Sequence, residues 1–294
     1  MEGDGSSRHG DDAGHRMSGF DPAWLALREP ADHAARSRRI EGIVRAHFAG
    51  RNSLTIVDLG CGTGSNLRAL ASSLPPRQHW HLVDGDTVLL KEARRSLTGW
   101  ADSARETEHE VALDKDGYRI RVSFECADLT MRDLHFSDIA PDLVTAAALL
   151  DLVSLEWLER LVMASARRRA SLYAVLNYDG GARWRPEAPL DARIVAAFNR
   201  HQRRDKGFGP ALGPIASDAF SALLAQHGYR SWQGDSPWQL GTGDRSLVAA
   251  LNAGFATAAA EIEPTLADAF ATWARERIDA EEVTISHKDV FGAI

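Results

Sequence analysis

The chain has only two cysteines, Cys61 and Cys126, too far apart for a Cys-x-x-Cys pair. Neither a disulfide framework nor a zinc module is expected from them. The eleven histidines form no His-Glu-x-x-His pattern, so no metal site is expected either. No apolar run approaches the roughly 20 residues that cross a bilayer. The segment from Met1 to Met17 is polar where a secretion signal would be apolar. These absences predict a cytoplasmic protein with no membrane partner. Basic residues are not in excess: 34 Lys and Arg stand against 41 Asp and Glu, a formal charge of −7. A protein whose affinity rests on neutralising many phosphates concentrates Lys and Arg, so no nucleic-acid partner is expected. Internal repeats are also missing.

What is present is the composition of a globular protein able to bury one substantial core, with 44% hydrophobic and 26% charged residues over 294 positions. Residues 1–18, rich in Gly, Ser, Asp and His, predict a disordered tail, and 19–294 a single domain. Apolar residues recur at helical spacing from Phe20 to Phe48, with Pro22 and Pro30 each placed where a helix can begin. Within 19–50 this predicts two helices. Residues 53–178 then alternate between periods. Leu54 to Val57, Trp80 to Val83, Tyr118 to Cys126, Leu143 to Ala147 and Ser171 to Asn177 read as strands. Between them, Asn66 to Leu74, Thr87 to Leu97 and Leu155 to Arg168 read as helices. This alternation predicts βαβ units and a doubly wound, mostly parallel α/β sheet. Residues 179–294 read as helical additions, over Ala188 to Arg204, Ser217 to His227, Ser246 to Glu261 and Thr265 to Asp279, with a last strand near Val283 to Ser286.

The most informative segment is Val57-Asp-Leu-Gly-Cys-Gly-Thr-Gly-Ser-Asn66. Gly60, Gly62 and Gly64 lie between a buried strand and a helix, where missing side chains permit a tight turn and close approach of a ligand to the backbone. A dinucleotide fingerprint needs its third glycine where Ser65 stands, which counts against an NAD-dependent oxidoreductase.

The spacing Asp58 then G-x-G-x-G resembles the first motif of the class I S-adenosylmethionine (SAM) methyltransferases. Asp84 closes the second strand in Leu82-Val-Asp84, and Cys126-Ala-Asp-Leu129 follows the third, matching two further motifs in order. The resemblance implies a seven-stranded Rossmann-like core, SAM as cofactor and S-adenosylhomocysteine as product. It places Asp58, Gly60, Cys61, Gly62, Gly64, Asp84, Asp128 and Leu129 at the cofactor. Asp84 would accept from both ribose hydroxyls, Asp128 from the adenine amine, and Asp58 would organise the loop or meet the ligand's ammonium. Gly85 stands where the family usually has an apolar residue stacking on adenine, so that platform is unassigned. Asp86 reads as the N-cap of the next helix.

The acceptor implied is a small molecule, since neither an Asn/Asp-Pro-Pro-Tyr segment nor a Pro-Cys dipeptide marks a nucleic-acid methylase here. No catalytic residue is assigned. Arg28, Asp151, Asn177, Tyr178 and His201 are candidates for the substrate pocket. His201 lies in Phe198 to Lys206, which reads rather as a solvated helix face with a helix-end charge cluster, and Asp151 reads equally as a helix cap or a solvent-facing residue. The alternative function is a SAM-binding scaffold without turnover.

Overall fold

The computed structural model describes residues 21–131, 134, 136 and 138–294, so the tail at 1–18 lies outside the described residues. The strands are β1 (Ser53–Leu59), β2 (Arg77–Asp84), β3 (Ser103–Glu106), β4 (Glu110–Lys115), β5 (Tyr118–Cys126), β6 (Leu143–Ala147), β7 (Ser171–Arg185), β8 (Arg230–Asp235), β9 (Trp238–Leu240) and β10 (Glu282–Ala293). They form one sheet in the order β3-β4-β5-β2-β1-β6-β7-β10-β8, with β9 on β10. The five central strands from β5 to β7 are parallel, and β10 runs antiparallel to both β7 and β8.

The seven strands from β5 to β8 form the expected seven-stranded doubly wound core. Three more enlarge it. The β3-β4 hairpin extends the edge beside β5, and β9 pairs with β10. In β3 and β4 one or both faces are charged or polar, as in Ser103-Ala-Arg-Glu106, and β9 is only three residues long, too short to show a period. The central strands are apolar on both faces because helices cover both. Leu158, Leu161 and Val162 of α5 (Leu155–Arg168) and Phe220 and Leu224 of α7 (Ala216–Gln226) pack on one face. On the other lie Ile40 and Val44 of α2 (Arg38–Phe48), Leu67 of α3 (Ser65–Leu70) and Leu97 of α4 (Thr87–Trp100).

Two corrections follow from the ends of the sheet. At the N-terminal side, α1 (Pro22–Ala35) runs through Pro30, and the break falls at Arg36 and Ser37. Beyond residue 179 the chain is not helical at once: β7 continues to Arg185 and pairs with a twelve-residue β10. This ribbon carries Trp184, Val283 and Ile285 into a third apolar core beneath α6 (Asp191–Gln202), α8 (Arg245–Ile262) and α9 (Ala267–Glu276). The C-terminal cap is therefore helices seated on a β-ribbon.

Helix starts follow side-chain chemistry. Asp21 accepts from the Ala23 amide, Asp86 from Val88 and Ser154 from Trp157, each such cap worth about 1 kcal/mol. Among the described residues, no helix is long and apolar enough to cross a membrane.

Candidate active site

The sheet order reverses between β1 and β6, and in an open α/β sheet the ligand crevice lies beyond the carboxyl ends of the strands at that point. A cavity of about 600 Å³ opens there, within the range usual for small-ligand sites. The glycine turn after β1, the tip of β2 and the segment after β5 line one end. Helix α1 and the loop carrying Lys206, Gly207 and Phe208 close over the other.

The glycine turn is held by hydrogen bonds to β2. The Cys61 amide donates to the Val83 carbonyl at 3.1 Å and the Gly62 amide to Asp84 Oδ2 at 2.9 Å. Asp84 Oδ1 accepts from the Asp86 amide at 3.0 Å, so one carboxylate joins the turn to the start of α4. A carboxylate has about four acceptor sites, more than these amides use, and Asp84 lines the cavity. Burial pushes its carboxyl above the ordinary carboxylate range, against the pull of the Asp86, Gly62 and Gly85 amides. Gly60 and Gly62 have φ of +65° and +53°, a region that favours glycine. Cys61 is buried on the wall, its thiol held well above its usual pKa by that burial.

After β5, Asp128 Oδ1 accepts both the amide (2.8 Å) and the hydroxyl (2.7 Å) of Thr130. The Leu129 carbonyl accepts from Trp157 Nε1 at 2.7 Å. Both residues line the cavity, with Leu89 and Leu149 supplying nearby apolar surface.

Six residues singled out from the sequence lie off the cavity wall. Asp58 is fully buried behind the turn, because Asn66 occupies the way out. Asn66 Nδ2 donates to Asp58 Oδ1 at 2.7 Å and to Thr145 Oγ1 at 3.1 Å, while its Oδ1 accepts from Arg36 Nη2 at 2.6 Å. Burial pushes the Asp58 pKa up to about 7, opposed by Asn66 and Arg36. Gly64, at φ +75°, faces Leu97 and Ala93 and serves the contact between α3 and α4. Asn177 and Tyr178 were placed at a strand end, but β7 continues past them. Asn177 instead bridges the Leu150 amide and the Lys288 carbonyl, and the Tyr178 hydroxyl donates to Asn199. Asp151 is buried beside Leu149 and Leu152, which do line the cavity. Its Oδ1 has no partner, and burial lifts its pKa to about 6. His201 on α6 reaches the cavity only through its neighbour Lys206.

Of the substrate candidates, Arg28 is on the wall. Asp32 holds it through two hydrogen bonds, of 2.8 and 3.1 Å, and its guanidinium lies 5.1 Å from the centre of the Trp238 ring. Sequence reading missed three residues. Arg36, at the α1 to α2 break, lines the cavity with Nε and Nη1 buried and without partners. Asn66 follows the glycine motif directly, where an amide is a visible if unspecific signal. Lys206 closed a stretch read as solvated. Among the described residues no group of three or more His, Cys, Asp or Glu is placed to hold a metal.

Residues 56–170 match the family model of a methyltransferase domain. With the strand order and the glycine turn beside Asp84, this match supports a SAM-dependent methyltransferase domain over these residues. The fold is shared with a cyclopropane-fatty-acyl-phospholipid synthase-like protein from Lactobacillus casei, 15% identical, covering 91% of this chain and 92% of that one with a TM-score of 0.52. The YcgJ protein of Bacillus subtilis is 13% identical over 87% of this chain and 98% of its own, with a TM-score of 0.48. Magnesium protoporphyrin IX methyltransferase from Synechocystis, crystallised with S-adenosylhomocysteine, is 14% identical over 73% and 77%, with a TM-score of 0.42. No curated protein matches the chain in sequence.

Proposed function

We propose that this protein transfers a methyl group from SAM to a small-molecule acceptor held beneath α1 and the loop at Lys206. The observation that carries the reading is Asp84: its carboxylate lines the cavity at the tip of β2, with acceptor capacity beyond that used by the Gly62, Asp86 and Gly85 amides. A ribose diol offers the two donors that such a carboxylate accepts. The other donors and acceptors suit the rest of the cofactor. Asp128 would accept from the adenine amine, and Leu129, Leu89 and Leu149 offer the apolar surface that Gly85 does not. Gly60 and Gly62 would bring bare backbone to the methionine end. Arg36 would hold the methionine carboxylate, which answers its unpartnered N–H groups. Unpaired buried donors of this kind cost roughly 1–3 kcal/mol each.

When bound, SAM supplies an electrophilic methyl on its sulfonium and leaves as S-adenosylhomocysteine. The protein's share is alignment and exclusion of water, and orientation of this sort supplies about 7–11 kcal/mol. Helix α1 performs it here: Leu25, Arg28 and Asp32 roof the cavity. Calorimetric titration with SAM and with S-adenosylhomocysteine tests the reading, and incubation of labelled SAM with metabolite extracts separates transfer from binding. Binding without any transfer would favour the scaffold alternative. No heat from either ligand at high protein concentration removes the proposal.

A further inference from the structure

Lys206 is the wall residue whose surroundings the cofactor reading leaves unused. It is held at the cavity by its own loop: Asp205 Oδ1 accepts the amides of Gly207 at 2.7 Å and Gly209 at 3.0 Å, and the Phe208 ring packs edge-on against Trp157. Lys206 Nζ lies 3.1 Å from His201 Nδ1, and His201 Nε2 lies 3.1 Å from Glu261 Oε2. The Glu261 carboxylate only accepts, so a neutral imidazole carries its proton on Nε2, and its Nδ1 accepts an N–H from Lys206, which the amine and the ammonium both supply. The three groups form one hydrogen-bonded line from the cavity wall, across α6, to a glutamate on α8 that is half exposed.

The geometry points to a proton relay. Lys206 accepts the proton lost by the methyl acceptor, and His201 and Glu261 conduct it to solvent. This inference rests on the methyltransferase reading of the cavity and names the acceptor class: a molecule whose nucleophilic oxygen or nitrogen carries a removable hydrogen. The acceptor's X–H proton goes to the lone pair of a neutral Nζ, and the bonding electrons stay on X as its nucleophilic pair. Lys206 passes a proton to His201 Nδ1, His201 releases the one on Nε2 to the Glu261 carboxylate, water removes it there, and exchange of the imidazole protons with water restores the Nε2–H form before the next turnover. Lys206 is the catalytic residue in this scheme, and His201 and Glu261 are positioning residues.

The electrostatics agree with the geometry. Desolvation pulls the Lys206 ammonium below the ordinary lysine range, aided by Arg204 and opposed by Glu261 and Asp151. His201 is likewise pulled below the ordinary histidine value, by burial first and then by Lys206 and Arg204, against the opposing pull of Glu261. General bases work best with a pKa brought toward the operating pH.

The chain contains four lysines, Lys91, Lys115, Lys206 and Lys288, so acetylation by acetic anhydride across a pH series, read by peptide mass spectrometry, isolates the one in question. Lys206 is expected to react at the lowest pH of the four, and Glu261→Gln to lower its midpoint further. Long-range nitrogen–proton spectra are expected to show His201 as the Nε2–H tautomer. In the extract assay, Lys206→Met should lose about 100-fold or more of the label transfer with S-adenosylhomocysteine binding retained. Lys206→Arg, which keeps the charge but gives up no proton, should fail to restore it. A Lys206 midpoint level with the other lysines, an Nδ1–H tautomer, or wild-type transfer by Lys206→Arg overturns the relay. Absence of S-adenosylhomocysteine binding by the wild type would instead sink the methyltransferase reading, with the labelling and spectra still deciding the relay.

Discussion

Asp84 receives the Gly62 amide at 2.9 Å, so the acid at the end of the second strand shapes the turn at the end of the first. A single side chain thereby serves both the backbone of the glycine turn and the ligand it faces. Replacing it separates these duties. Asp84→Ala removes charge-assisted hydrogen bonds worth ~1.5–3 kcal/mol, so the Kd of S-adenosylhomocysteine should rise roughly 10- to 150-fold. Asp84→Asn keeps one carbonyl oxygen for the Gly62 amide and should fall between. Calorimetry on both variants checks this, and an Asp84→Ala protein binding as tightly as the wild type would remove the ribose from this end of the cavity.

Arg36 is tested by a ligand that lacks the group it would hold. The Arg36→Met variant should bind S-adenosylhomocysteine about 10- to 100-fold more weakly, the loss of one charged hydrogen-bonding partner. Its affinity for 5′-methylthioadenosine, which has no amino-acid carboxylate, should stay at the wild-type value. Titrating both ligands into both proteins gives the comparison. Equal weakening of the two would show that Arg36 shapes the site only by holding Asn66 and, through it, Asp58.

What the sequence disclosed and what it hid divide along one physical line. The run from Val57 to Asn66, Asp84 and Asp128 are set by local chain geometry: a strand end, a tight turn and a helix start leave a readable pattern within ten residues. Arg36 and Lys206 reach the cavity only by tertiary packing, from the break after α1 and from a loop after α6, and no local period marks them. Asn177 and Tyr178 were misplaced for a related reason. The apolar stretch that signalled β7 ends near Asn177, yet pairing with β10 carries the strand on to Arg185. Asp58 shows a subtler limit. Its place in the motif was plain, but that Asn66 shields it from the cavity depends on one side-chain rotamer.

The buried carboxyl of Asp58 links stability to pH. Its folded pKa, about 7, lies above the ordinary value of about 3.9. The folded protein therefore holds this proton more tightly than the unfolded chain. The resulting stability is complete below pH about 4 and is lost as pH rises through about 7, at about 1.4 kcal/mol for each unit of displacement. His287, buried and held near 3 by desolvation, acts in the opposite sense below its ordinary 6.5, so the Asp58 contribution must be read as a difference. Asp58→Asn keeps an oxygen for Asn66 and cannot ionise. Relative to wild type it should gain stability between pH 5 and 8 in urea unfolding. A difference that stays flat across that range would place the Asp58 pKa near its ordinary value.

Gly64 and Gly60 belong to one motif but answer to different constraints. A Cβ on Gly64 would stand 3.3 Å from Leu97 and 3.6 Å from Ala93, at φ +75°, so Gly64→Ala meets both backbone strain and the packed interface of α3 with α4. A non-glycine residue in that region costs of order 1–3 kcal/mol. The unfolding midpoint should therefore fall by several degrees, with little change in the affinity of whatever remains folded. Gly60 lines the cavity, and its Cβ would find Leu149 at an ordinary 3.5 Å. There the strain of φ +65° remains, but the added methyl also stands beside the ligand, so Gly60→Ala should lower S-adenosylhomocysteine affinity beyond its effect on stability. Thermal unfolding beside calorimetry separates the two. Equal affinity losses in both variants would mean that the whole turn, and not its cavity-facing half, meets the cofactor.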